Sequence, residues 1–179
     1  STVQEAFGTL FNTGGDMARD GSQFEHLFVH DEPFAIGTLQ CQALHTPGHT
    51  PACMTYVISE GTETSAFVGD TLFMPDYGTA RCDFPGGDAH TLFKSINKVL
   101  SLPVNTLLYM CHDYQPGVRE VQFVSTVADQ RARNVHVRNG ISEEEFVAMR
   151  IKRDASMGMP TLILPSVQVN MRAGHLPEP

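Results

Sequence analysis

Three short polar segments, each at the end of an apolar run, constrain the fold of this 179-residue chain more than any other feature. They are residues 44–51 (LHTPGHTP), 69–73 (GDTLF) and 110–114 (MCHDY). A polar side chain that follows a strand-like run leaves the sheet and enters a loop-lined cleft. The pattern therefore predicts a sheet whose strand ends bring His49, Asp70 and His112 into one site.

These three side chains form a ligand set for a transition metal. His49 and His112 each offer an imidazole nitrogen, and Asp70 offers an anionic oxygen that can bind one cation or bridge two. This mixture of nitrogen and oxygen suits Zn(II), Fe(II) or Mn(II) and requires no sulfur. A purely structural interpretation also exists, in which His49 holds a turn and Asp70 caps the residues that follow it. We predict the metal site.

The order of the three segments resembles the second half of the metallo-β-lactamase superfamily. Residues 78–84 (GTARCDF) and 170–174 (NMRAG) are most similar to the persulfide dioxygenase branch, a relative of glyoxalase II. The likeness runs from about Leu39 to Gly174. The resemblance implies an αββα sandwich of mixed α/β class, of which this chain would supply the C-terminal half to two-thirds.

The resemblance also implies an activity and a cofactor. The expected enzyme is an Fe(II)-dependent dioxygenase that oxidises a low-molecular-weight or glutathione persulfide to sulfite. His49 and Asp70 would supply two of its three iron ligands, and His112 would stay in the outer sphere. The alternative is a binuclear Zn thioester hydrolase of the glyoxalase II type, in which Asp70 bridges the metals and His112 ligates the second. A third interpretation is a metal-free interaction module that keeps only the fold.

Arg81, Tyr114 and His136 are the substrate-side candidates. The Tyr114 phenol could hydrogen-bond a ligand at the metal, and the Arg81 guanidinium could bind a substrate carboxylate or form a structural ion pair with Asp83. Glutathione-using relatives carry Asn-Pro-Arg near residues 134–136, where this chain has His136 as the substrate-binding candidate. This replacement argues against glutathione persulfide as the preferred substrate and leaves room for another low-molecular-weight or protein-bound persulfide. Cys82 is expected to be an inert thiol unless Arg81 stabilises its thiolate.

One part of the superfamily pattern is absent. The His-x-His-x-Asp-His block that normally precedes the Thr-Pro-Gly-His segment does not occur in residues 1–43, which contain only His26 and His30. We therefore expect residues 1–179 to be a single domain that is incomplete at its N-terminus. Because the missing block would supply the third iron ligand, we expect this fragment to be impaired in activity.

Hydrophobic periodicity and capping signals predict a sheet flanked by helices. The predicted helices are residues 3–11, 88–100, 126–133 and 142–155, and the predicted strands are residues 38–44, 53–59, 65–68 and 106–111. Residues 12–22 and 74–87 are predicted loops, and residues 31–34 are a predicted turn. Half a sandwich would expose the apolar inner face of its sheet, so we expect a homodimer or pairing with the missing half.

Charge and composition exclude several classes of partner. Twenty acidic against twelve basic residues, with no basic run, argue against binding of nucleic acid or an anionic membrane. No apolar run approaches the roughly 18 residues of a membrane span. The four cysteines have no C-x-x-C spacing, so we expect reduced thiols and a cytoplasmic protein. The expected partner is a small thiol or persulfide.

Overall fold

A six-stranded sheet with helices on one face forms the core of the computed structural model, which describes residues 2–10 and 17–176. The strands follow each other across the sheet in chain order. Their bounds are β1 Glu32–Ile36, β2 Leu39–His45, β3 Met54–Glu60, β4 Glu63–Phe67, β5 Leu107–Tyr109 and β6 Val124–Thr126. Neighbouring strands are antiparallel except β4 and β5, which are parallel because a helix connects them.

Five α-helices occur in the described part of the chain. They are α1 Thr2–Leu10, α2 Ala89–Leu100, α3 Val127–Arg133, α4 Glu143–Asp154 and α5 Ile163–Met171. Asp88 caps α2 by accepting a hydrogen bond from the Thr91 backbone, and Ser142 with Glu145 forms the predicted capping box of α4. No helix among the described residues is long and apolar enough to cross a bilayer.

The predicted elements agree with the structure except at a few places. The predicted turn at 31–34 is wrong: Glu32 already begins β1, and the turn lies at Asp31, whose φ is 61°. Pro33 is tolerated because β1 is an edge strand with an unpaired side. The sequence patterns predict neither strand β6 nor helix α5. Phe11 of the first predicted helix, and residues 12–16 of the loop after it, lie outside the described residues.

The helix-covered face of the sheet contains the main core. Val57, Ala66 and Leu108 lie side by side on neighbouring strands and are almost fully buried. Helix α2 covers them with Leu92 and Ile96. Burial of a side chain of this size contributes about 1.5–3 kcal/mol, so this contact fixes the strand ends that carry the polar segments. A smaller cluster joins α1 to α5 through Phe7, Met17, Val167 and Met171.

The opposite face of the sheet is apolar and partly open. Its side chains include Tyr56 on β3, Phe67 on β4 and Leu107 on β5. Tyr56 lies opposite Phe67 in the antiparallel pair, and Phe67 and Leu107 are 45% and 39% exposed. Phe28 covers only one end of this face, with its ring 5.8 Å from that of Tyr56. Side chains of this type are normally covered, because their exposure to water is unfavourable.

A buried polar network supports the loop that precedes α2. The Arg150 guanidinium donates to the Thr79 backbone oxygen at 3.0 Å and pairs with Asp154, which accepts from the Cys82 backbone N–H at 2.9 Å. His136 Nδ1 accepts from the Thr79 backbone N–H at 3.1 Å. Burial, followed by the positive charges of Arg150 and Arg153, lowers the pKa of His136 to about 4. His136 is therefore a neutral acceptor at pH 7.

The open sheet face should make the isolated chain self-associate. Replacing Phe67 by Glu places a charge on this face, so we expect it to shift the chain toward monomer and to reduce binding of the dye 1-anilinonaphthalene-8-sulfonate. Size-exclusion chromatography with light scattering measures the first effect and fluorescence the second. The control is Val118→Glu, since Val118 is 99% exposed and lies off the sheet. A dilute wild-type monomer that binds no dye contradicts the prediction.

Protonation of His136 should destabilise the fold at acid pH. Its pKa in the folded chain lies below the ordinary value of 6.5, so the unfolded chain binds the proton first. Stability is complete above about pH 6.5 and falls as the pH drops toward 4, by up to about 3 kcal/mol. In urea denaturation at pH 7.5 and 4.5, His136→Asn should remove this part of the pH dependence. His90→Asn, at an exposed site, should keep it.

Candidate metal centre

His49 is held in place by the loop that follows β2. Gly48 has a φ of 133° and lies so close to α2 that a Cβ atom would be 2.3 Å from Leu92 Cα, so only glycine fits there. The adjacent His49 donates from Nδ1 to the Arg81 backbone oxygen at 2.6 Å. This hydrogen bond assigns the proton to Nδ1, and it leaves the lone pair of Nε2 free to bind a metal.

Asp70 lies between the two predicted histidines. Its Oδ2 is 3.6 Å from His49 Nε2, and its Oδ1 is 3.3 Å from His112 Nε2. Ligand atoms about 2.0–2.2 Å from one cation stand roughly 3–3.5 Å apart at tetrahedral or octahedral angles, so both pairs fit a metal position. The structure thus brings the three predicted ligands together, with one carboxylate oxygen toward each imidazole.

Cys111 adds a sulfur atom that the sequence argument did not include. Its Sγ lies 3.0 Å from Asp70 Oδ1, and Asp70, Cys111 and His112 each place one donor atom within 4.8 Å of the others. Burial and the neighbouring carboxylate raise the pKa of Cys111 to about 12, so the thiol donates to Asp70. In the sequence, only its position directly before His112 indicates that Cys111 lies at this site.

Arg81 supports the centre through its backbone and is already paired through its side chain. The guanidinium forms two hydrogen bonds of 2.6 Å with the Asp83 carboxylate and a third, of 2.8 Å, with the Gly158 backbone oxygen. It also lies 5.0 Å from the Phe84 ring centre. Of the two interpretations of Arg81, the geometry corresponds to the structural ion pair. A direct substrate contact would require this pair to open.

Tyr114 and its neighbour Tyr77 form an aromatic wall beside His112. The Tyr114 ring stacks on Tyr77 with centroids 4.2 Å apart and lies 6.2 Å from the His112 ring. Burial raises the pKa of Tyr114 above its usual value, so the phenol keeps its proton at neutral pH. The side chain lines the cleft, as a substrate-side residue must. Sequence analysis missed Tyr77, which has no strand-end position to mark it.

An ion-pair clamp holds the segment after His112. Asp113 accepts two hydrogen bonds from Arg119, at 2.6 and 2.7 Å, and Arg119 also binds Asp76. These contacts, with Arg119 the largest, hold the pKa of Asp113 well below its usual range. Asp113 therefore supports the segment that carries His112, because its carboxylate is bound by Arg119.

His136 and Cys82 lie beneath the cleft rather than at its wall. His136 is 7% exposed and packs against Gly78, where a Cβ would approach Nδ1 to 2.2 Å. The structure does not bring it to the predicted substrate side. Burial and the Asp154 carboxylate raise the pKa of Cys82 to about 12, which matches the expected inert thiol.

The predicted metal ligands open onto a cleft of about 720 Å³. His49, Asp70 and His112 lie in its wall, and apolar side chains of α1 and α5 line it as well. A cleft of this volume accommodates a small organic ligand. The arrangement can hold a metal ion and present a bound molecule to it.

Comparison with known proteins gives several relatives, although no family model matches the chain. The chain is 63% identical to a probable metallo-hydrolase of Burkholderia pseudomallei, over 99% of its own length and 62% of the relative. It is 51% identical to glyoxylase B2 of Dictyostelium discoideum, over 98% of its length and 59% of the relative. The mouse mitochondrial persulfide dioxygenase ETHE1 is 34% identical over 86% of the chain and 56% of the relative. The chain thus spans about three fifths of these proteins.

Solved structures agree with this grouping. The crystal structure of ETHE1 from Myxococcus xanthus superposes with a TM-score of 0.70 and 33% sequence identity, over 83% of this chain and 60% of that one. A metallo-β-lactamase from Staphylococcus aureus has the same fold, with a TM-score of 0.69 over 86% of this chain and 46% of that one. The sequence likeness, the shared fold and the strand-end histidines and aspartate together place this chain in the metallo-β-lactamase superfamily, with persulfide dioxygenases of the ETHE1 branch among its relatives.

Proposed function

We propose that the protein is a metal-dependent sulfur dioxygenase that oxidises a small-molecule persulfide to sulfite. The observation that carries this proposal is the placement of His49 Nε2 and Asp70 on one side of an aromatic-walled cleft, with His49 Nδ1 bonded to a backbone oxygen. The likeness to the ETHE1 proteins supports it. The overall reaction consumes one dioxygen and one water for each persulfide and yields the thiol and sulfite.

The residues of the chain have separate roles in this proposal. His49 and Asp70 would hold an iron(II) ion, which supplies open positions for the persulfide sulfur and dioxygen when bound. The Arg81 carbonyl fixes the ring of His49, and the clamp of Arg119 on Asp113 fixes the segment of His112. Tyr114 would donate its phenolic proton in a hydrogen bond to an anionic oxygen or sulfur of the bound ligand.

A second candidate is a binuclear zinc hydrolase of thioesters. The observation that favours it is the position of Asp70, whose two oxygens each face a different histidine, as a bridging carboxylate would. The relative from Burkholderia, a probable metallo-hydrolase, also supports this candidate. A metal-free interaction module is the third alternative, and metal binding that depends on His49 would contradict it.

Metal content and oxygen consumption distinguish these candidates. In protein that carries the expected upstream ligand block, we expect iron, measured by inductively coupled plasma mass spectrometry, and one dioxygen consumed per sulfite formed from a persulfide. His49→Ala should lower bound metal at least tenfold, because it removes a ligand. The control is His90→Ala, since exposed His90 pairs only with Glu143 among the described residues. Bound zinc with hydrolysis of an acyl thiol contradicts the dioxygenase and supports the hydrolase.

Removal of the Tyr114 hydroxyl should slow the reaction without releasing the metal. A hydrogen bond to a charged group contributes about 1.5–3 kcal/mol, so Tyr114→Phe should lower kcat/KM by roughly tenfold or more. The control is Tyr109→Phe, whose ring stacks on Phe67 on the far face of the sheet. Wild-type kinetics in Tyr114→Phe would remove Tyr114 from the mechanism.

A further inference from the structure

The cleft contains one arginine whose charge is not neutralised by a carboxylate. Three arginines line it: Arg81, Arg150 and Arg153. Arg81 pairs with Asp83, and Arg150, which is 1% exposed, pairs with Asp154. Among the described residues Arg153 has no salt bridge within 4.0 Å, although it is half-buried.

Arg153 is nevertheless held at the cleft wall. It lies in the last turn of α4, where the helix dipole favours a cation. Its guanidinium carbon is 5.3 Å from the centre of the Tyr77 ring. The contact with the aromatic face holds the guanidinium in place and keeps the N–H groups at its edge available.

The aromatic wall connects Arg153 to the metal ligands. Tyr77 stacks on Tyr114, and Tyr114 adjoins His112. A ligand with its sulfur near His49 and Asp70 can therefore run along this wall toward Arg153. The predicted substrate-side residues Arg81 and His136 cannot receive its far end as they stand, because Arg81 is paired and His136 is buried and neutral.

We propose that Arg153 binds the anionic group at the far end of the substrate, a carboxylate or phosphate carried on the same molecule as the persulfide. The guanidinium presents a planar set of donors that matches either group. This inference rests on the proposed function, since it assumes that the sulfur end lies at the metal centre. It makes the preferred substrate a persulfide of an anionic thiol, with neutral thiols bound more weakly.

Thioethers test this site without any oxidation chemistry, because they have no persulfide sulfur. The probes are S-methylglutathione for a carboxylate, S-methyl-4′-phosphopantetheine for a phosphate and S-methylpantetheine as the neutral match of the latter. Isothermal titration calorimetry of the metal-loaded protein measures their binding. We expect Arg153→Gln to weaken at least one anionic probe by about tenfold or more, and to leave the neutral probe unchanged.

The matched control is Lys152→Gln, which removes the same charge from the neighbouring, exposed residue of α4. It should leave all three probes unaffected. Arg153→Lys keeps the charge, so it should weaken the anionic probe less than Arg153→Gln, and it serves as the variant of choice if the latter fails to fold. If Arg153→Gln weakens binding of only the carboxylate probe, or of only the phosphate probe, that result identifies the anion that the site binds.

Two results would overturn the proposal. One is binding of both anionic probes to Arg153→Gln with wild-type affinity, and the other is an equal loss of the neutral probe. With the persulfide of the better probe as substrate, KM should rise by about the same factor as the dissociation constant while kcat changes little. If the protein oxidises no persulfide but the thioethers still bind through Arg153, the proposed function fails and the anion site stands.

Discussion

The hydrogen bond from His49 Nδ1 to the Arg81 carbonyl is the contact on which the candidate centre depends. It joins the loop after β2 to the long loop before α2, two segments more than thirty residues apart in sequence. It also sets the tautomer of His49, because a proton on Nδ1 leaves a lone pair on Nε2, the nitrogen that faces Asp70. The Arg81 carbonyl can orient the His49 ring only if its loop is rigid. The candidate metal site therefore also depends on the contacts that fix the backbone at Arg81.

That rigidity comes from the buried polar network. Arg150 and Asp154 on α4 bind the backbone of Thr79 and Cys82, on both sides of Arg81. A buried ion pair contributes little net stability after its desolvation cost, but its directional hydrogen bonds fix the backbone that they contact. His136 adds a neutral acceptor for the Thr79 N–H. Helix α4 thus acts on the centre without touching it.

Charge compensation also organises the cleft. Arg119 binds both Asp113 and Asp76, and Arg81 binds Asp83, so most charged groups around the cleft are already paired. Asp70 and Arg153 are the exceptions that matter for binding. The carboxylate of Asp70 faces two imidazoles, and Arg153 faces an aromatic ring. A carboxylate beside two imidazoles and a guanidinium over an aromatic ring therefore line the same cleft.

The sequence by itself determined four of the six described strands, most of the helices and the strand-end positions that bring His49, Asp70 and His112 together, because periodicity, caps and strand-end motifs are local signals. It misplaced the turn at residues 31–34, since the sequence does not show that β1 lies at a sheet edge. Only the tertiary structure decided which cations are paired, which thiols are buried and that Cys111 adjoins Asp70. Those properties depend on contacts between residues distant in the chain, which no local pattern specifies.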